Sequence, residues 1–173
     1  MPDDARSPDL GAPPARVALT EPAATLLAKL RTIHGELMFH QSGGCCDGSS
    51  PMCYPQGDFL TSDADVHLGD LVVSAREATG VARGADSPGP GTDVSAPQAT
   101  GVARGADTAQ SFAVPVWMSR AQFEYWKHTH LTIDVVPGRG AGFSVEAPEG
   151  VRFLIRSRLL TDDEWEGLSG ARR

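Results

Sequence analysis

The order of apolar and polar residues predicts a chain of short strands interrupted by a few helices. Between Val151 and Arg158, apolar residues alternate with arginines, as in a strand with one buried face. Apolar residues recur at helical spacing after Thr20, a typical N-cap, and Gly35 is a typical helix stop. The same reasoning predicts strands at 17–19, 37–41, 58–61, 66–73, 112–118, 131–136, 143–146 and 151–158, and helices at 21–34, at 120–128 and after Thr161.

This order of elements indicates the α+β class, with about three short helices and strands that pair mostly in the antiparallel sense. Residues 1–15 are rich in proline and small polar residues and are predicted to be a disordered tail. A single domain is predicted over 16–165, followed by a flexible tail at 166–173.

A duplicated segment interrupts this predicted domain. The nine letters from Ala78 to Asp86 recur without change from Ala99 to Asp107. Two copies are too few for a solenoid, and the segment is small, polar and without apolar periodicity. We therefore interpret residues 75–110 as a disordered insertion, which a domain tolerates because loop-closure entropy grows only logarithmically with length.

Charge and apolar patterning exclude several function classes. The formal net charge of −7 argues against nucleic-acid binding, which needs clustered Lys and Arg. No apolar run approaches the roughly 20 residues that cross a bilayer. Residues 1–14 lack the basic and apolar regions of a secretory signal, so we expect a cytoplasmic protein, in which thiols stay reduced.

All three cysteines lie close together on one glycine-rich stretch. Cys45, Cys46 and Cys53 follow His40 within a few residues of each other, and glycines allow the sharp turns that would bring their side chains together. Thiolates and imidazole are the ligands that zinc and iron prefer. The sequence therefore predicts a metal site formed by Cys45, Cys46, Cys53 and His40.

Two other interpretations of this stretch remain open. A thiol redox enzyme would use Cys45 or Cys46 as nucleophile and Cys53 as resolving thiol. In the other, the cysteines are buried and inert, and the protein is a non-catalytic docking partner. The aromatic residues near position 125 fit core packing best, with a pocket lining or a homodimer interface as alternatives: Trp117, Phe123, Tyr125 and Trp126.

Three segments resemble domain-of-unknown-function family 779, a bacterial family without an assigned activity. The segments are Val17–Ala24, His40–Cys53 and Phe123–His128, and the resemblance covers 16–165 apart from the insertion. Members of that family are often encoded beside alcohol or aldehyde dehydrogenases. The resemblance thus implies an accessory role with a dehydrogenase as partner.

A more distant resemblance implies a fold and a cofactor. The strand, the Leu-Thr-x-x-Ala-Ala helix and the Gly-Gly-Cys loop are similar to A-type iron–sulfur carriers, which have the HesB-like fold, and so is the segment Ile133–Pro148. Cys45 matches their loop ligand, whereas their C-terminal Cys-Gly-Cys has no counterpart, because Glu149–Arg173 contains no cysteine. The resemblance implies a HesB-like protein that holds an iron–sulfur species or a zinc or iron ion, with Cys45 as principal ligand.

Overall fold

The computed structural model describes residues 15–44, 47–74, 111–140 and 142–170. Residues 1–14 of the predicted tail at 1–15, the duplicated insertion at 75–110 and the final residues 171–173 lie outside this part of the chain. Within it, no helix is long and apolar enough to cross a membrane.

The described residues form seven strands and three α-helices, which confirms the α+β class. One sheet has the order β1-β6-β7 and the other the order β3-β2-β5-β4. Pairing is mixed, since β1–β6 and β2–β5 are parallel while the other three pairs are antiparallel. The elements are β1 Val17–Leu19, α1 Glu21–His34, β2 Leu37–Gln41, β3 Met52–Pro55, β4 Asp65–Val73, β5 Phe112–Ser119, α2 Arg120–Trp126, β6 Thr129–Pro137, a 3-10 turn Ala147–Glu149, β7 Val151–Leu159 and α3 Asp162–Gly170.

Local capping signals explain why α1 has the predicted bounds. The Thr20 hydroxyl accepts a hydrogen bond from the Ala23 amide at 3.4 Å. Gly35 has φ +80° and ends the helix, because an L side chain is strained in that conformation. The buried face of α1 packs on the core through Ala23, Ala24, Leu27 and Leu30.

The last helix extends further than the sequence indicates. Thr161 and Glu164 form a reciprocal capping box at its start: the Thr161 amide donates to the Glu164 carboxylate at 2.9 Å, and the Glu164 amide to the Thr161 hydroxyl at 3.3 Å. α3 then continues to Gly170. Residues 166–170, which were predicted to belong to a flexible tail, are therefore helical.

Two predicted strands are wrong and one strand was missed. In place of the predicted strand at 58–61, residues 57–58 form a turn at Gly57, whose φ is +98°, and Phe59 makes an isolated bridge to Gln56. Residues 143–146 form turns that lead into the 3-10 segment, and the Ser144 and Glu146 side chains are buried. The prolines just before β3 and at its end predict a loop, so this strand was missed. β3 is an edge strand, and edge strands tolerate proline.

One hydrophobic core joins both sheets and α1. Phe39 of β2 meets Phe153 of β7 edge to face, with ring centroids 4.9 Å apart. Of the aromatic residues near position 125, Trp126 is buried in this core, Phe123 packs against it, and Tyr125 is 72% exposed. Core packing thus accounts for Trp126 but not for Tyr125.

Candidate functional site: the cysteine loop and its supports

The cysteine loop starts at the end of β2, an inner strand of the four-stranded sheet. All five residues of β2 are buried. Because successive side chains of a strand point to opposite faces, Phe39 and Gln41 face one side and His40 faces the other. β3 pairs with β2 so that Cys53 lies opposite Phe39 and Met52 lies opposite His40.

His40 is held on the face of the sheet away from Phe39. Its Nδ1 lies 2.7 Å from the Ser42 hydroxyl and its Nε2 lies 2.9 Å from Asp65 Oδ1. The Phe59 ring covers the imidazole at a centroid distance of 4.1 Å. The hydrogen bond from His40 lowers the pKa of Asp65, so this carboxylate is the acceptor. Both imidazole nitrogens therefore already have partners.

Cys53 is fully buried on the opposite face, beside Phe39. Burial raises the pKa of the Cys53 thiol well above its ordinary value, and the nearby Glu146 carboxyl adds to this effect. The Cys53 amide donates to the Ser144 hydroxyl at 2.8 Å, and that hydroxyl donates to Glu146. Cys53 thus exists as a neutral thiol, which is a poor nucleophile and a poor ligand.

The structure does not bring the two described members of the predicted ligand set together. His40 and Cys53 lie on opposite faces of one sheet, by the pairing of β2 with β3. Cys45 and Cys46 lie outside the described residues. Within 15–44, 47–74, 111–140 and 142–170, no group of three or more His, Cys, Asp or Glu could hold a metal ion.

The residues that flank Cys45 and Cys46 in the sequence, Gly44 and Asp47, are each held by a side chain or strand of the core domain. On one side, the carbonyl oxygen of Gly44 accepts a hydrogen bond from the indole Nε1 of Trp126 at 3.1 Å. On the other side, the Asp47 carboxylate accepts from the amide and hydroxyl of Ser157. The segment that carries the adjacent cysteines is therefore tethered at each flanking residue.

The residues after Asp47 extend this attachment along the free edge of β7. The Gly48 amide donates to the Ile155 carbonyl at 2.7 Å, and the Ile155 amide donates to the Ser49 carbonyl at 2.8 Å. Because β7 is the outer strand of the three-stranded sheet, the loop connects the two sheets.

The buried amide of Gln41 lies beneath the start of the loop. Its side chain is 1% exposed, and Nε2 donates to the carbonyl of Gly43. Its Oε1 has no hydrogen-bond partner among the described residues. A buried carbonyl oxygen without a donor is costly, so this position favours an additional donor or cation in the loop.

Sequence reasoning missed four residues that support the loop and its neighbours. Asp65, Ser42, Trp126 and Glu146 had no assigned role at this site. Ser42 lies inside the cysteine motif and could have been found there. The other three reach the site by tertiary pairing, as the 82-residue separation of Trp126 from Gly44 shows.

Comparison with known proteins identifies one family. A family model described as "Domain of unknown function (DUF779)" matches residues 26–159. No curated protein and no solved structure matches the chain. The HesB-like fold therefore stays a prediction.

Proposed function

This chain belongs to the DUF779 family of domains of unknown function, and from that premise we propose that it is a small accessory protein that binds a thiophilic metal through Cys45 and Cys46. The metal is a zinc or iron ion or an iron–sulfur species. The observation that carries the proposal is the fixing of Gly44 and Asp47 by Trp126 and Ser157. Tethered flanks reduce the entropy that adjacent thiolates lose when they coordinate a metal.

The geometry narrows the ligand set that the sequence suggests. Cys53 is a buried neutral thiol, and both nitrogens of His40 have partners, so these two residues are unsuited to bind the metal. His40 instead supports the loop through Ser42. Two thiolates then remain in a chain that has three cysteines in all.

Two thiolates do not complete a tetrahedral site, which takes four ligands. The missing ligands would come from a second copy of the chain or from a client protein. An incompletely coordinated metal suits an accessory protein, because a client can displace weakly held ligands. A homodimer with one shared metal is the simplest form of this arrangement.

The rival function, a thiol redox enzyme, is less well supported. It needs Cys53 as a resolving thiol, and Cys53 is buried with a raised pKa. A disulfide between the adjacent Cys45 and Cys46 would close a strained ring. The dehydrogenase partner rests on the family resemblance alone and stays a prediction, as does a purely docking role.

Anaerobic purification followed by elemental analysis and an absorption spectrum tests the proposal. We expect zinc, iron or an iron–sulfur spectrum at about one metal centre per two chains, with a dimer in size-exclusion chromatography. Cys45→Ser and Cys46→Ser should lose the metal. Cys53→Ala, the matched control that removes the remaining thiol, should keep it.

Added Co²⁺ gives an independent readout, because thiolate ligation produces visible and near-ultraviolet bands. Folded wild-type protein that neither retains a metal nor gives these bands would refute the proposal. If folded Cys53→Ala lost as much metal as Cys45→Ser and Cys46→Ser do, the restriction of the ligands to Cys45 and Cys46 would be refuted.

A further inference from the structure

Ser42, His40 and Asp65 form a continuous hydrogen-bonded series on the face of the sheet opposite Cys53. The Ser42 hydroxyl lies 2.7 Å from His40 Nδ1, and His40 Nε2 lies 2.9 Å from Asp65 Oδ1. A hydroxyl, an imidazole and a carboxylate in this order are the parts of a nucleophilic serine site. We propose that Ser42 is a nucleophile toward activated acyl compounds, with His40 as its general base.

The carboxylate decides which imidazole nitrogen is the base. Asp65 is ionised and can only accept a hydrogen bond, so Nε2 carries the proton. In the neutral imidazole with its proton on Nε2, Nδ1 carries the lone pair that faces the Ser42 hydroxyl. Either ring nitrogen serves as a base once the other is bonded to a carboxylate.

The surroundings hold the imidazole rigidly. The His40 side chain is 3% exposed and the Asp65 side chain 10%. The amide of Ser62 donates to the second oxygen of Asp65 at 2.8 Å, which fixes the orientation of the carboxylate. Phe59 lies over one face of the imidazole and is itself stacked on Tyr54, so that this face of the base is covered.

The nucleophile itself is accessible. Ser42 is exposed, and so are the two glycines that follow it. A Cβ built on Gly43 would meet no atom of the described residues within 4 Å, so these residues leave the position after Ser42 uncovered. A base within hydrogen-bond reach of an exposed hydroxyl meets the geometric condition for general-base activation of that hydroxyl.

The reaction balances without a cofactor. Ser42 Oγ attacks the acyl carbon as its proton moves to His40 Nδ1, and the leaving alcohol or thiol departs with that proton. Water then attacks the acyl–Ser42 ester, giving one proton to His40, and Ser42 recovers its proton as the acid leaves. The net reaction is the hydrolysis of an ester or thioester.

A fluorophosphonate probe tests the proposal, because it forms a P–O bond with an activated serine and releases fluoride. Peptide mapping of the folded full-length protein should find the probe on Ser42. Ser42→Ala should abolish labelling, whereas Ser50→Ala, a half-buried serine of the same loop, should not change it. His40→Gln should slow labelling about a hundredfold.

Asp65 acts through His40, and its variants separate positioning from folding. Asp65→Asn should slow labelling at least about tenfold, and Asp65→Glu, which restores a carboxylate, should recover part of that loss while both variants melt cooperatively. If His40→Gln does not fold, the Asp65 variants still test whether Ser42 is an activated nucleophile. No label on Ser42 of the folded wild type, or Asp65→Asn labelling at the wild-type rate, would overturn the proposal.

This site is independent of the proposed metal. A chain with Cys45→Ala and Cys46→Ala should still be labelled on Ser42, although it binds no metal. When the Ser42, His40 and Asp65 variants are made in this double-alanine chain, their rates of p-nitrophenyl acetate hydrolysis should follow the same order as their labelling rates. The two alanines remove the loop thiolates that could otherwise react with the ester.

Discussion

The indole nitrogen of Trp126 donates a hydrogen bond to the carbonyl oxygen of Gly44, 3.1 Å away. Trp126 is the last residue of α2, and its ring is buried in the core. One side chain thus fixes the start of the cysteine loop to the hydrophobic interior. The position of Gly44, the residue before Cys45, thus depends on a residue 82 positions away in the sequence.

Replacing Trp126 by phenylalanine should loosen the loop without unfolding the protein. The variant keeps a buried aromatic ring but leaves Gly44 without its donor, so we expect a loss of about 1 kcal/mol in the free energy of unfolding. The metal content should fall by a larger fraction than the free energy of unfolding does. Urea unfolding and elemental analysis measure the two effects, and Trp165→Phe, at a 38% exposed position, is the control.

Gly44 and Gly43 form a matched pair of neighbouring positions. Gly44 has φ +102°, and a Cβ added there would lie 2.8 Å from Ser49 Cβ, whereas one added to Gly43 would meet nothing. Gly44→Ala should therefore cost about 1–3 kcal/mol and impair metal binding. Gly43→Ala should leave both nearly unchanged. Equal melting temperatures for the two variants would contradict the described loop geometry.

Cys53 should resist alkylation in the folded protein. Its thiol is fully buried and its pKa is raised, so neither access nor thiolate is available to iodoacetamide. Peptide mapping should find Cys53 unmodified under native conditions and modified in urea. Rapid native modification of Cys53 would show that β3 opens readily or pairs differently.

Glu146 should make stability depend on pH in a defined direction. Burial raises its pKa above the ordinary value of 4.5, so the folded state keeps a proton that the unfolded chain has lost. Its contribution to stability is complete below about pH 4.5 and is lost as pH rises through the raised folded value. Relative to wild type, Glu146→Gln should therefore gain stability with rising pH.

Urea unfolding at several pH values measures this difference, with exposed Glu166→Gln as the control. A constant difference between Glu146→Gln and wild type at all pH values would mean that Glu146 does not titrate on folding.

The segment between β4 and β5 should be dispensable for folding. Val73 and Phe112 are paired neighbours in the antiparallel β4–β5 hairpin. Replacing residues 74–111 by Asn-Gly, which favours a two-residue hairpin turn, should leave the melting temperature equal or higher. The shorter connection removes about four doublings of loop length, at about 0.6 kcal/mol each. A large fall in melting temperature on this replacement would contradict the expectation.

Local signals were enough to predict some elements of this fold. Thr20 and Gly35 define α1, and the apolar run of β2 is predicted with its observed bounds. β3 was missed because the prolines beside it are typical of loops, and its strand character comes only from pairing with β2.

The geometry of the candidate site was harder to predict from the sequence than the fold, because it depends on pairing between distant segments. The cysteine motif is visible in the sequence, but the register that places Cys53 opposite Phe39 is not. That register puts Cys53 and His40 on different faces, which separates two residues that sequence proximity suggested would act together. The bond from His40 to Asp65 across 25 positions likewise has no local signature.

The attachment of Gly44 to α2 and of Gly48 and Ser49 to β7 has a mechanical consequence. An occupant of the loop would act as a cross-link between the two halves of the domain, since Gly44 is attached to one side and Gly48 to the other. By reciprocity, whatever the loop binds should stiffen the whole domain, and whatever strains the domain should weaken that binding. Thermal denaturation could then report on occupancy even for a ligand with no colour.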